Sequence, residues 1–424
     1  MSNTPLSDRT HLATELDTLD QAHCDRIASF VTAEVSEPRH TGQTNPCWHA
    51  LRELGTELWL DTGDSDAAAE EYSAEFSALT TNNSLLNKEI QKGSYDELIE
   101  QAARLVNHLD QELQILELGM ILNARHGLRL AQRFGGRVSV ELHTALADDA
   151  DASVLYGKRL FAICPEHFVI KVPHTPAGLV ATRRLRALGI PVNHTLGFSA
   201  RQNAFTARFS QASWVNVFMG RLDSYLSNHN LGTGALGSRV TLGSQSALRS
   251  IHEEAGTATW QIAASLRDAE QVQQIAGVDV ITMPTAVAAE VRAEKPEWRR
   301  YDAADLPLAI TASPGVDSSI AGLWATDRRL LDFAGEIDGI DCVDAEELQS
   351  RCHEAGFGSL FPYWTAGDRE QIIKDGKIPD HQHWAHRIGL HEIGIDTLLT
   401  MAGLAAFAAD QAALDQRISQ QIGA

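Results

Sequence analysis

The chain is poor in cysteine, in positive charge and in long apolar runs, and each shortage removes a class of protein. Its five cysteines, Cys24, Cys47, Cys164, Cys342 and Cys352, are odd in number and far apart, with no CxxC pair. That pattern suits reduced thiols better than a disulfide framework or a thiolate zinc site. Lysine and arginine number 35 against 56 aspartates and glutamates, a formal net charge of -21. Such a chain repels polyphosphate backbones, so nucleic acid is not an expected partner, and any phosphorylated small molecule needs its own basic pocket. No unbroken apolar run approaches the about 18 residues that signal a membrane span, so no membrane association is expected. The opening MSNTPLSDRTHLATELDTLD has no basic stretch followed by an apolar one. No secretory signal is read there, and the cytoplasm is the expected location.

What remains is 424 residues with a hydrophobic fraction of 44%, ample for a large core. Residues 1 to 55 read as a helical extension with polar faces. From ELWLDTGD onward, short apolar or β-branched runs alternate with helical stretches. The runs are Leu58 to Asp61, Phe76 to Asn82, Val138 to Glu141, Phe168 to Val172, Val192 to Ser199, Trp214 to Met219, Thr259 to Ala264 and Val278 to Thr282. Eight such units predict an α/β fold, a closed (β/α)8 barrel over residues 56 to 295, with its functional groups at the C-terminal ends of the strands. A helical elaboration over residues 296 to 424 should pack on the barrel, and 296 to 395 reads as extra packing or an oligomer contact rather than a substrate lid. A homodimer is compatible with such a contact.

The polar residues cluster where that architecture puts chemistry. Asp61, Asn82, Glu141, Lys171, Asn193, Thr195, Asn216 and Arg267 all fall at or near strand ends. Lys171 is the telling one, set in FVIKVPHT among residues that read as buried on both faces. Desolvation disfavours a lysine's ammonium, and the neutral amine can attack a carbonyl to form a Schiff base. The iminium then draws electrons from a neighbouring C–C bond, and carboxylates such as Asp61 and Glu141 can move the protons. A structural ion pair between Lys171 and Glu141 is the competing reading. Arg221 and Arg267, together at the sixth and seventh of these runs, read as a phosphate clamp.

These stretches also carry a resemblance. WLDTGD, LTTNNSLLNKEI, VSVELHTALADDADASVLYGKRL, FVIKVPHTPAGLVATRRL, IPVNHTLGFS, VFMGRLD, AASLRDAEQV and VDVITMP follow the order and spacing of transaldolases. The chain from about 56 to 295 is similar to that family throughout. The resemblance implies a cofactor-free class I enzyme that passes a dihydroxyacetone unit from a ketose phosphate to an aldose phosphate. By motif match, Lys171 resembles the Schiff-base lysine, Asp61 the acid/base for C–C cleavage, and Glu141 the proton relay. Thr195 resembles the hydroxyl that places a catalytic water beside that glutamate. Asn82 and Asn193 resemble the amides that hold the dihydroxyacetone hydroxyls, and Arg221, Arg267 and Ser265 the phosphate site. Phe218 matches the phenylalanine of transaldolases, where the related fructose 6-phosphate aldolases resemble this pattern with a tyrosine. No metal site and no cofactor are implied.

Three positions depart from the family pattern. Asn216 stands where a phosphate-binding serine is usual, Asn83 replaces the proline of TTNPS, and His174 lies where small hydroxyl residues are common. They leave open a related enzyme acting on a sulfonated or secondary-metabolite ketose; a barrel that binds sugar phosphates without turnover is a further alternative, and the presence of Asp61, Glu141, Lys171 and Thr195 argues against it. Two other signals are read as incidental. GTGALG fits GxGxxG but lacks a preceding strand, so it reads as a flexible crossover loop. His381, His383, His386 and His391 in DHQHWAHRIGLH read as neutral or solvent-facing residues of a loop leading into a helix rather than zinc ligands.

Overall fold

The computed structural model describes residue 16 and residues 19–339 and 344–423. Cys342, and residues 1–15, 17 and 18 of the extension expected to be helical, lie outside the described residues; the four described cysteines are free.

Ten strands occur among the described residues. They are β1 (Glu57–Asp61), β2 (Phe76–Thr80), β3 (Arg137–Glu141), β4 (Phe168–Pro173), β5 (Val192–Thr195), β6 (Trp214–Phe218), β7 (Gly232–Gly234), β8 (Trp260–Ala264), β9 (Val280–Pro284) and β10 (Leu308–Ile310). Eight of them close a barrel in the order β1-β2-β3-β4-β5-β6-β8-β9. All eight pairings are parallel, including β1 with β9, which seals the ring. The eight expected strands are therefore the eight barrel strands, most with ends moved by one to a few residues.

Every residue of β4, β5 and β6 is buried, because these strands face the barrel interior on one side and the helices on the other. The helices that follow strands begin at the barrel mouth, and short polar residues start them. Asn82 caps Asn83–Gln91 by accepting from Leu85 N at 2.9 Å, and Thr175 caps Pro176–Ala187 by accepting from Gly178 N at 2.9 Å. Ser199 and Asp268 do the same for Ala200–Phe209 and Ala269–Gln274. Side-chain caps of this kind satisfy N–H groups that have no partner inside the helix.

The two short strands correct one expectation. GTGALG is an ordered crossing rather than a flexible loop: β7 pairs antiparallel with β10, and Leu236 already opens the helix Leu236–Ala255. Its glycines are there for close approach. A Cβ on Gly232 would meet Ala309 O at 2.3 Å, one on Gly237 would meet Met219 O at 2.6 Å, and Gly234 has φ +114. Only glycine accepts both conditions without strain.

Both chain extensions are fastened by buried charge. In the N-terminal extension, His23 of the helix Gln21–Thr32 lies 2.9 Å from Glu117 on the long helix Gln111–Phe134. Arg159 donates to both oxygens of Glu117 at 2.6 Å, and Tyr156 Oη donates at 2.6 Å. The last helix, Ile395–Ile422, starts with buried Asp396 in a two-pronged bond to Arg201 at 2.7 Å. It then crosses the mouth and ends with Arg417 on Asp96. By length and composition it is the one helix among the described residues that is apolar enough to cross a membrane; 56% of its most apolar window is buried within the protein.

Glu117 is wholly buried and has four hydrogen bonds, so its carboxyl is held down at about 2. Glu117→Gln leaves Arg159 buried without its counter-charge, which should cost about 3 to 5 kcal/mol in urea unfolding at pH 7. Because the folded-state pKa is depressed, the contribution is present above the ordinary carboxylate range and is lost as pH falls towards 2. The gap between wild type and variant should therefore close over that window, and a gap independent of pH would contradict the assignment.

Candidate active site

The C-terminal ends of the strands open into a cavity of about 440 Å³. Ten of the eleven residues singled out in the sequence line it: Asp61, Asn82, Lys171, Asn193, Thr195, Asn216, Phe218, Arg221, Ser265 and Arg267. The eleventh, Glu141, is buried behind Lys171.

Register explains the cluster. Lys171 of β4 is paired with Glu141 of β3 and with Asn193 of β5, so three polar side chains lie at one level of neighbouring strands. Lys171 Nζ donates to the carbonyl of Thr81 at 3.1 Å and lies 3.8 Å from Glu141 Oε1. On another side the ring of Phe407 sits 5.8 Å from Nζ. Asn193 is held by its neighbours, donating to Ser139 Oγ at 3.0 Å and accepting from Asn216 Nδ2 at 2.9 Å. Asn216 Oδ1 and Thr195 Oγ1 are buried and make no hydrogen bond among the described residues. Asn82 uses its carbonyl oxygen as a helix cap and also lines the cavity.

The two carboxylates have different surroundings. Asp61 ends β1 at the cavity wall and accepts from Thr80 Oγ1 at 2.7 Å, with Thr282 Oγ1 2.8 Å from Thr80. Burial pushes its pKa up, against the attraction of Lys171 and the Thr80 bond. Glu141 is also pushed up by burial, again opposed by Lys171. Its Oε2 accepts from the backbone N–H of Asn83 at 3.2 Å. Beside it, Asn83, Asn123 and Gln411 help to line a space of about 10 Å³, close to the least that holds one water. The departure at Asn83 thus has a chemical consequence: a proline there has no N–H to give.

One side of the cavity is built by arginine and aromatic rings. Arg221 is buried, and its Cζ lies 5.7 Å from the ring of Phe218 and 5.7 Å from that of Phe407. Burial and the charge of Arg267 lower its pKa to about 10, and Nη1 has no hydrogen-bond partner among the described residues. Arg267 is exposed at the rim and follows Ser265, which takes φ 61. Gly220 leaves room for it, since a Cβ there would fall 2.7 Å from Arg267 Cγ.

Comparison with known proteins now bears on this geometry. The chain matches the Transaldolase/Fructose-6-phosphate aldolase family over residues 58–314. The chain belongs to that family. Among curated relatives, it is 30% identical over 256 residues to a probable transaldolase of Dictyostelium discoideum, covering 58% of this chain and 78% of that one. It is 28% identical over 298 residues to a transaldolase of Xanthomonas euvesicatoria, covering 68% and 91%. A probable transaldolase of Thermus thermophilus is 39% identical over 169 residues, covering 39% and 67%. The protein is thus an enzyme of a group that transfers aldehyde or ketone residues.

Several cavity residues were not foreseen. Thr80 and Thr282, which hold Asp61, read in sequence only as β-branched strand residues. Lys377 and Ile378, from the elaboration, and Phe407, from the last helix, also line the cavity and lie beyond the stretch that matches the transaldolase family. The segment 296 to 395 therefore contributes to the site wall as well as to packing. His174 faces away: its ring stacks on Phe361 at 5.7 Å, and burial lowers its pKa to about 4. His381, His383 and His386 lie on a helix, His381–Gly389, rather than in a loop. His381 is buried against Tyr225 Oη at 2.7 Å, and His383 meets Asp375 at 2.8 Å.

Asn83 occupies the first position of its helix, where proline is well tolerated. Asn83→Pro should fold and should remove one donor from the Glu141 carboxylate. Losing a hydrogen bond to the charged form raises a carboxyl pKa, so the acidic limb of the pH–activity profile should move to higher pH. An unmoved limb would mean that Glu141 does not govern it.

Proposed function

We propose that this enzyme is a transaldolase, moving a dihydroxyacetone unit from a ketose phosphate such as fructose 6-phosphate or sedoheptulose 7-phosphate to an aldose phosphate through a Schiff base on Lys171. The observation that carries the reading is the placing of Lys171 with two carboxylates of raised pKa, Glu141 at 3.8 Å and Asp61 within its electrostatic reach, at a cavity also lined by Arg221, whose Nη1 has no hydrogen-bond partner among the described residues. A structural ion pair accounts for Lys171 and Glu141, and leaves Asp61 and Arg221 unexplained.

In this scheme the Lys171 amine adds to the ketose carbonyl. Glu141, working through a water held by the free Thr195 hydroxyl, supplies and removes the protons that turn the carbinolamine into an iminium. Asp61 takes the proton of the hydroxyl on the departing carbon, the C–C bond breaks, and its electrons run into the iminium to leave an enamine. The aldose leaves, and an acceptor aldehyde adds by the reverse steps. Arg221 and Arg267 grip the phosphate with directed, charge-assisted bonds, which holds the reacting end in place. Asn82 and Asn193 hold the hydroxyls of the three-carbon unit, with Asn216 fixing the Asn193 amide.

The family name also covers aldolases, which release the three-carbon unit instead of transferring it. Release needs a proton at the enamine carbon. Phe218 lines the cavity and offers none, whereas a phenol there can donate one or orient a water. That favours transfer. Action on another ketose stays the second reading, motivated by Asn216 and by the wall that lies outside the family match.

Borohydride added with fructose 6-phosphate should inactivate the enzyme and add a reduced sugar fragment to the peptide bearing Lys171, and Lys171→Met should abolish both effects. A label on any other lysine overturns the scheme. Phe218→Tyr should raise acceptor-independent release of dihydroxyacetone about tenfold if the hydroxyl lowers the protonation barrier by about 1.4 kcal/mol. Fast release by the wild type without acceptor would make the protein an aldolase instead.

A further inference from the structure

The last helix contains MAGLAAFAADQAAL, in which one glycine, Gly403, interrupts a run rich in the best helix former. Glycine is among the poorest helix formers, so an alanine-rich helix has no local reason to carry one there. The reason is spatial. A Cβ on Gly403 would lie 2.9 Å from Arg221 Nη1 and 2.8 Å from Leu196 Cδ2. Four residues on, Phe407 presents its ring to the guanidinium at 5.7 Å. Three further on, Asp410 is held by the Ser84 hydroxyl and attracts Arg221 electrostatically. Spacings of four and three put these residues on one face of the helix. That face meets the same buried arginine that Phe218 covers from the barrel side.

We infer that the Gly403, Phe407 and Asp410 face of the last helix positions Arg221, and through it sets the preference for phosphorylated over plain sugars. Gly403 makes the space, Phe407 closes one side of the guanidinium, and Asp410 offsets part of the cost of burying its charge. Nη1 is packed against Gly403, and the part of the guanidinium that reaches the cavity is left to take an incoming phosphate. These are positioning residues, acting through Arg221. The anchors at either end of the helix fix the face: Asp396 is tied to Arg201 and Ser199, Thr400 Oγ1 donates to Leu196 O at 2.9 Å, and Arg417 is tied to Asp96. The inference rests on the reading of Arg221 as an anion-binding group.

The test is Gly403→Ala in the full chain. The atoms it would press on are the tips of two flexible side chains, so the fold can adjust while Arg221 is displaced. Expected is a fall of about tenfold or more in kcat/KM for fructose 6-phosphate, carried mainly by KM, with activity on unphosphorylated fructose changed less than about threefold. Competitive inhibition by inorganic phosphate should weaken in parallel. Phe407→Leu, which keeps an apolar side chain, should also weaken phosphate inhibition, and supplies the test if Gly403→Ala fails to fold. Ala409→Gln, on the exposed side of the helix, is the control for a general effect of altering it. Equal losses on both sugars, or unchanged phosphate inhibition in both variants, overturns the inference. Arg221→Ala separates the two levels. If it weakens phosphate inhibition while the helix variants do not, only the inference falls; if it does not, the anion site itself is misassigned.

Discussion

A lysine ammonium inside a barrel has lost its water, and nearly everything at the mouth of this one answers that loss. Lys171 is 4% exposed. One carbonyl, Thr81, accepts from it, and a carboxylate stands on each side, Glu141 behind and Asp61 in the cavity. Each carboxylate then needs support of its own, since burial works against its charge too. Thr80, backed by Thr282, supports Asp61; the Asn83 N–H supports Glu141. The barrel makes the arrangement repeatable, because parallel register fixes which residues of β3, β4 and β5 share a level.

Much of this is legible in the sequence itself. A β-branched run with one lysine near its end is a local signal, and eight runs separated by helical spacing fix the ring. Polar residues at strand ends then converge by topology alone, which is why Asp61, Asn193, Thr195 and Arg267 meet in one cavity although they are far apart in sequence. The failures have a different character. Glycines in GTGALG signal both freedom of the backbone and tight approach, and only the position of Leu308–Ile310 distinguishes the two. Thr80 and Thr282 look like ordinary strand residues because β-propensity and a hydrogen-bonding role coincide in threonine. Phe407 was invisible for a third reason: helical periodicity reports that a face is apolar and says nothing about what the face covers.

The site is therefore assembled in two shells of different origin. The inner one, from Lys171 to Asp61, comes from strands inside the stretch that matches the family. The outer one, with Lys377, Ile378 and Phe407, comes from later segments that are pinned across the mouth by buried charge at Arg201 and Asp396. In the proposed scheme the inner shell makes and breaks the bond, and the outer one shapes which sugar reaches it.

The overall charge of -21 gives these cations a further meaning. Lys88, Arg221, Arg267 and Lys377 all line the cavity together with Lys171, while Asp61 is its one acidic lining residue among the described residues. At low ionic strength an approaching sugar phosphate meets the net repulsion of the whole chain, whereas at physiological ionic strength charges more than about 8 Å away are largely screened and the cations at the mouth dominate. Added salt screens the distant repulsion and leaves the contacts inside the cavity less affected. Ionic strength should thus act on encounter and on grip in opposite directions, so that the capture of anionic sugars passes through an optimum in salt rather than declining from the start.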